Sequence, residues 1–255
     1  MNRLPSLAVL LCAAALASCE KNAVQEIAGT VAESRIKFFN FGVNAPGVNF
    51  YADETKMTAI SSGTGVESTT GVTYGGVGAG GLYSAIEPGQ HTITGRIAAT
   101  TDKDKPISTL TTTIEDGKHY SFYQSGFYNT TTKTVDSFIV EDPLPPTIDF
   151  TVAYVRFVHA ISNANPLTLY AVNASGQETA IGGPVSYKNA GAFVAIPNGV
   201  YQLRARYTGS STNTITRADV GFSLSRVYTI TARGDITVTS TTATNRPFLD
   251  NTINR

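Results

Sequence analysis

The chain has 255 residues, and its 19 Lys and Arg side chains balance its 19 Asp and Glu side chains, so the formal net charge is zero. A neutral chain with scattered basic residues lacks the basic surface that nucleic-acid binding requires, which excludes this class of function. Charged residues make up only 15% of the chain, whereas Thr occurs 35 times and Tyr 12 times. Because Thr and Tyr favour strands, the composition predicts an all-β protein without long helices.

The amino terminus has the three parts of a secretory signal. Arg3 gives a basic start, residues 7–16 form an uncharged apolar run, and small residues follow. The run ends in Leu16-Ala-Ser-Cys19, which resembles the bacterial lipobox. This resemblance implies that residues 1–18 are a lipoprotein signal peptide and that Cys19 is lipidated and becomes the new amino terminus. An ordinary cleaved signal that happens to precede a cysteine is the alternative.

Lipidation of Cys19 would decide whether the mature chain can form a disulfide and where in the cell the protein lies. Cys12 lies in the removed segment, so the mature chain would have no thiol left for a disulfide. Residues 19–34 lack any periodicity and are predicted to be the lipidated Cys and a flexible tether. The lipoprotein resemblance, without an Asp after Cys19, implies a lipid anchor in the bacterial cell envelope. The outer membrane is expected, with the protein facing the periplasm or the cell surface.

An internal repeat organises the rest of the chain. Segment 35–41 aligns with 154–160, and segment 48–52 aligns with 167–171, both at an offset of 119. Three further blocks follow in the same order: 72–74 with 185–187, 85–89 with 195–199, and 118–122 with 226–230. The shrinking offset places polar insertions of the first copy near 61–71 and 100–106, which we expect to be surface loops.

Each copy has the pattern of short strands. Apolar and polar residues alternate in 155–157 and in 201–207, which predicts half-buried strands. Turn signals recur at 44–47, 87–89, 115–117, 173–176 and 197–199. This spacing predicts two tandem antiparallel immunoglobulin-like β-sandwich domains. The expected boundaries are 35–142 for the first domain, 143–151 for a Pro-rich linker and 152–255 for the second domain.

The second copy resembles a known bacterial envelope family. Val155-Arg-Phe-Val-His-Ala160, Asn165-Pro166, Leu169-Tyr170 and Ala195-Ile-Pro-Asn-Gly-Val-Tyr201 are similar to the pattern of the domain of unknown function 4397. The first copy resembles it more weakly, with Phe39-Asn-Phe41 in place of the Val-His-Ala portion, and both copies depart from the family's Ser-Pro-Asp turn. The resemblance implies a secreted or lipid-anchored β-sandwich without an assigned activity.

No motif in the sequence points firmly to catalysis, to a metal or to a cofactor. Residues 76–81 fit the dinucleotide fingerprint G-x-G-x-x-G, but a strand rather than a helix is predicted to follow, which favours a loop or bulge. His91, His119 and His159 are spread one per predicted strand, so no metal site is expected. The tripeptide at 233–235 resembles an integrin-binding motif and is interpreted as the turn after a strand.

An aromatic segment at 120–128 supplies the candidate contact residues. Tyr120 and Phe122 share one strand face and are predicted to be core, whereas Tyr123 points the other way. Tyr123 and Tyr128 are therefore candidate contacts for a sugar ring or a protein partner. Packing in the core and at its rim is the alternative, since strand aromatics stabilise sheets without a ligand.

These features predict a non-enzymatic envelope protein. It would be anchored to the membrane through Cys19 and act as a binding, adhesion or structural module with a cell-surface protein or polysaccharide as partner. A glycan-binding surface module is the alternative. A hydrolase with a site assembled across several strands is a third hypothesis, since carboxylates on distant strands leave no sequence motif.

Overall fold

The structure, a computed structural model, describes residues 32–58 and 69–255. Within these ranges the regular structure consists of strands and one short 3₁₀ helix at Gly78–Gly81, so the all-β prediction is confirmed. Residues from Ala32 onward belong to one compact unit. No helix within the described ranges has the length and apolar character needed to cross a membrane. Cys19 and the predicted signal peptide lie outside the described residues.

The first group of strands lies between residues 35 and 141 and forms two packed sheets, here called the first sandwich. Its strands are β1 (Arg35–Val43), β2 (Val48–Ala52), β3 (Thr55–Lys56), β4 (Gly76–Val77), β5 (Ser84–Ala85), β6 (Gly89–Ile97), β7 (Pro106–Ile114), β8 (His119–Asn129) and β9 (Thr134–Glu141). The inner sheet has the order β4-β1-β8-β9 with β5 beside β1, and the outer sheet has the order β3-β2-β6-β7. Phe38 and Phe122 from the inner sheet pack against Phe50 and Ile93 from the outer sheet.

The second group of strands lies between residues 153 and 253 and forms the second sandwich. Its strands are β10 (Ala153–His159), β11 (Leu167–Val172), β12 (Glu178–Val185), β13 (Val194–Ile196), β14 (Gly199–Tyr207), β15 (Ile215–Phe222), β16 (Val227–Arg233) and β17 (Phe248–Ile253). The inner sheet has the order β13-β10-β16-β17, and the outer sheet has the order β12-β11-β14-β15. Phe157 and Ile230 of the inner sheet share one core with Leu169 and Leu203 of the outer sheet.

The sequence repeat is reproduced in strand register. In the first sandwich β1 runs parallel to β8 with Arg35 opposite His119, and in the second β10 runs parallel to β16 with Tyr154 opposite Val227. These residues are the equivalents given by the sequence alignment. The remaining pairs within each sheet are antiparallel. The parallel pair makes the inner sheets mixed, a detail that the prediction of antiparallel sandwiches did not contain.

The predicted turns separate the strands. Each of the five turn signals falls between two strands, and the insertion at 100–105 is an exposed turn between β6 and β7. Gly89 and Gly199, equivalent in the repeat, begin β6 and β14 with φ of 131° and 155°. An L side chain is strained in this region, so both turns require glycine. Most of the insertion near 61–71 lies outside the described residues.

The inner sheets are buried on both faces. In β10 the side chains of Val155, Arg156, Phe157 and Val158 are each 0% exposed. The alternation in this segment was interpreted as a half-buried strand, and that interpretation is wrong for Arg156, because the second sheet face packs against the other sandwich. In β14 the same interpretation is confirmed, since Leu203 and Ala205 are buried and Arg204 and Arg206 are partly exposed.

The core of the second sandwich depends on Phe157. We expect Phe157→Ala to lower the free energy of unfolding by about 3–5 kcal/mol, because it removes a fully buried ring and leaves a cavity. The matched control is Phe150→Ala, which truncates a ring that is 75% exposed and should change stability by about 0.5 kcal/mol at most. Urea unfolding of both variants measures the difference. Equal losses would contradict the described core.

Candidate functional site

The inner sheets of the two sandwiches face each other through an apolar cluster. Phe39, Tyr123 and Phe138 lie side by side on β1, β8 and β9 and form a stack, with ring centroids 4.5 Å apart for the first pair and 4.9 Å apart for the second. Val158 and Ala160 of the second sandwich are buried in the same cluster. The interface between the sandwiches is therefore a packed hydrophobic layer.

Large side chains on one face of this layer lie opposite small side chains on the other. The rings of the first sandwich correspond in the repeat to small side chains of the second: Phe39 to Val158, Phe41 to Ala160 and Tyr123 to Thr231. A face rich in rings thus packs on a face of short side chains, which fills the space without voids. The two copies have diverged in a way that makes their faces complementary.

A buried ion pair lies at one edge of the layer and joins the two sandwiches. The guanidinium of Arg156 on β10 donates to the carboxylate of Asp142 at the end of β9, and both side chains are 0% exposed. The same guanidinium donates to the backbone oxygen of Glu141 at 2.8 Å and to the hydroxyl of Thr229 at 3.0 Å. Arg156 therefore bonds to both sandwiches.

Lys37 on β1 is the repeat equivalent of Arg156 and occupies the mirrored position. Its ammonium donates to the backbone oxygen of Ile253 on β17, the equivalent of Glu141. It lies 4.2 Å from the ring centroid of Tyr83, whereas Arg156 lies 4.9 Å from that of Phe193, the equivalent of Tyr83. Each sandwich thus inserts one cation from its first strand toward the last strand of the other.

The mirrored networks differ in one charge. Asp142 follows β9, and its equivalent Asn254 follows β17. The backbone N–H of Asp142 donates to the backbone oxygen of His119, the first residue of β8, at 2.7 Å. The backbone N–H of Asn254 donates in the same way to that of Val227, the first residue of β16, at 2.7 Å. Arg156 therefore has a carboxylate partner from the opposite sandwich, whereas Lys37 has an amide at that place. Burial lowers the pKa of Lys37 to about 8, with Asp142 raising it and Arg156 lowering it.

Tyr83 connects the two networks. Its hydroxyl donates to Asp142 at 2.6 Å and accepts from the amide nitrogen of Asn254 at 3.0 Å. Burial, followed by the negative charge of Asp142, raises the pKa of Tyr83 well above its usual value, so the hydroxyl keeps its proton. Because this single proton goes to Asp142, the hydroxyl can only accept from Asn254. The orientation of the Asn254 amide is fixed by this requirement.

A cavity of about 580 Å³ opens beside Lys37, between the two sandwiches. The first sandwich contributes Lys37, Val77 and residues 80–83, and the second contributes Arg226 and residues 251–255. The oxygens Oδ1 of Asn251 and Asn254 are buried and have no hydrogen-bond partner among the described atoms. This cavity, with its cations, is the candidate functional site.

The predicted contact residues lie elsewhere. Tyr123 is 0% exposed because it packs in the apolar layer, where its hydroxyl lies 3.5 Å from that of Thr231, and burial raises its pKa to about 12. The expectation that Tyr123 offers an exposed ring is therefore wrong: the face that it was predicted to present to a partner is covered by the second sandwich. Tyr128 is partly buried against the core of the first sandwich.

The structure also shows where the other motifs singled out in the sequence lie. Residues 76–81 form β4 and the 3₁₀ helix, as expected of a loop or bulge. The three histidines lie on β6, β8 and β10, and no group of three or more metal-ligating side chains occurs in the described parts of the chain. Arg233 ends β16 and pairs with Asp250, its guanidinium lying over the rings of Phe41 and Tyr74.

Sequence analysis missed Lys37, Tyr83, Asp142 and Arg156. One signal was available, because Lys37 and Arg156 are equivalent in the repeat and are flanked on both sides by apolar residues. A strand with apolar side chains on both faces is typical of a sheet covered on both sides. A cation in such a strand needs a buried partner.

The second sandwich also matches a family in sequence. Residues 153–253 match the family described as "Domain of unknown function (DUF4397)". The DUF4397 match extends from β10 to β17 and confirms the resemblance noted in the sequence. No curated protein matches the chain. Among solved structures, the Bacillus anthracis TIE protein is 13% identical over 79% of this chain with a TM-score of 0.25, and the match covers 33% of that protein's chain.

The ion pair between the two sandwiches can be tested by removing its acid. We expect Asp142→Ala to lower the free energy of unfolding by about 3–5 kcal/mol, because it leaves the guanidinium of Arg156 buried without its carboxylate. Asp102→Ala is the control, since it breaks a partly exposed pair with Lys133 and should cost at most about 1 kcal/mol. Chemical denaturation compares the two, and similar costs would refute the role of the buried pair.

The lowered pKa of Lys37 predicts a pH effect. Between the folded-state pKa of about 8 and the usual lysine pKa of 10.5, the unfolded chain keeps the proton that the folded chain has lost. Unfolding free energy should therefore rise with pH across this window, by roughly 3 kcal/mol, relative to Lys37→Met. Urea unfolding at about pH 7 and about pH 10 measures the rise. Lys105→Met, at an exposed lysine, should follow the unaltered protein; parallel curves for Lys37→Met and the unaltered protein would contradict the prediction.

Proposed function

We propose that the protein is a lipid-anchored, extracytoplasmic, non-enzymatic envelope protein whose two sandwiches act as one rigid binding module. The observation that carries this proposal is the buried network between the inner sheets. Lys37, Asp142 and Arg156 have side chains suited to chemistry, yet each bonds or packs across the interface. Buried polar groups that are fully engaged in this way hold two domains in one arrangement.

The location of the module is proposed from its amino terminus. A lipid on Cys19 would attach the chain to the membrane, and residues 19–34 would separate the sandwiches from the bilayer surface. The outer membrane is the proposed site, with the module facing the periplasm or the exterior. A cell-surface protein or polysaccharide is the proposed partner. The DUF4397 match is compatible with this role, and its description assigns no activity.

A glycan-binding module is the second candidate, and the cavity favours it. The cavity combines cationic donors with apolar surface at Leu82 and Ile253, a mixture that suits a ring with polar substituents. Backbone at Gly80 and Gly81 has open space around it, so a ring can approach this wall closely. The hydrolase hypothesis is less favoured, because the carboxylates of Asp142 and Asp250 are paired with Arg156 and Arg233.

Membrane attachment is tested by removing the lipidated thiol. We expect Cys19→Ala to move most of the protein from the membrane fraction to the soluble fraction, because no other lipid site is proposed. Cys12→Ala is the matched control, since this cysteine lies in the predicted signal peptide, and the variant should stay with the membrane. Cell fractionation with immunoblotting measures both variants.

Continued membrane retention of Cys19→Ala would refute the anchor. Crosslinking on intact cells then tests the binding role of the anchored protein. Crosslinks from the exposed faces of the sandwiches to a surface protein or polysaccharide are expected. Crosslinks to membrane lipid alone would refute the binding role.

A further inference from the structure

The two halves of the interface differ where the cavity lies. The guanidinium of Arg156 is paired with the carboxylate of Asp142 and lies over the ring of Phe193, so its charge is balanced within the interface. Around Lys37 the corresponding place holds the neutral Asn254. The buried part of the interface therefore contains two cations and one carboxylate. The cavity opens on the side with the unmatched cation.

Further cations surround the same space. Arg226, before β16, and Arg255, after β17, line the cavity together with Lys37. Their charges make the cavity attractive to an anion, and partial burial strengthens this attraction relative to that at an open surface. A carboxylate bound here would supply to Lys37 the negative charge that Asp142 supplies to Arg156.

The walls of the cavity fit a ring. Gly80 and Gly81 present backbone without side chains, and Leu82 and Ile253 provide apolar surface, being 72% and 51% exposed. Sugar rings combine hydroxyl donors with an apolar C–H face. The size of the cavity, about 580 Å³, is in the range of small-molecule sites.

We propose that this cavity binds a carboxylated sugar, with the carboxylate toward Lys37, Arg226 and Arg255. This assignment rests on the proposed binding function and specifies its ligand class. The ring lies on the Gly80–Gly81 wall, with Leu82 and Ile253 against its apolar face.

Calorimetric titration of the full-length protein in detergent tests the assignment with three probes. D-galacturonate should bind with a dissociation constant in about the millimolar range or tighter, whereas D-galactose and acetate should each bind at least about tenfold more weakly. Equal binding of galactose would refute the role of the cations. Equal binding of acetate would refute the role of the wall that is proposed to hold the sugar ring. No binding of galacturonate would refute the site.

Substitutions of residues that line the cavity test whether galacturonate binds there. Arg226→Met changes an exposed side chain and leaves the interface intact, and it should weaken galacturonate binding about tenfold. Asn254→Asp places a carboxylate where the other half of the interface has Asp142, and it should abolish galacturonate binding by neutralising Lys37. Lys105→Met is the control and should bind as the unaltered protein does. Unchanged binding in both Arg226→Met and Asn254→Asp would overturn the proposal.

Thermal unfolding of each variant confirms that it is folded during the titration. Failure of this ligand assignment can be distinguished from failure of the proposed binding function. Loss of galacturonate binding with surviving crosslinks on intact cells would refute only the ligand class, whereas absence of both would refute the binding module as well.

Discussion

The buried contact between Arg156 and Asp142 is the interaction on which the arrangement of this protein depends. The guanidinium belongs to the first strand of the second sandwich, and the carboxylate follows the last strand of the first. A charge that is fully withdrawn from water is stable only beside a partner of opposite sign, so each sandwich supplies the partner that the other needs once the apolar layer has closed around the pair. The pair therefore converts two tandem domains into a single body, and it makes the inner sheets the interior of the molecule.

Duplication followed by divergence explains the rest of the interface. The mirrored positions of Lys37 and Arg156, and of Tyr83 and Phe193, show that both copies use the same edge to reach the other. Divergence placed rings on one face and short side chains on the opposite face, which allows close packing. The two halves also differ in one charge, since Asp142 of one corresponds to Asn254 of the other, which leaves a cation without a carboxylate next to the cavity. The proposed ligand site thus results from this difference between the two otherwise equivalent halves of the interface.

Much of the fold was predictable from the sequence, because it rests on local signals. The repeat alignment anticipated which residues face each other in β1 and β8 and in β10 and β16, and the turn residues marked the strand ends. The candidate site was not predictable in this way. Lys37 and Arg156 look like the outward residues of half-exposed strands, and only the covering of the second sheet face reveals their role. Tyr123 was misplaced for the same reason, since alternation within a strand does not show what covers either face.

The complementary faces have a consequence for assembly. Because rings lie on one face and short side chains on the other, the inner sheet of the first sandwich fits that of the second better than it fits a copy of itself. The connection through residues 143–151 keeps the two fitting faces on one chain, which gives the intramolecular contact a high effective concentration. Two molecules would satisfy the same contacts only by exchanging whole sandwiches in a domain swap, which gives up that effective concentration. The same interface therefore closes within one chain more readily than between two chains at ordinary protein concentrations.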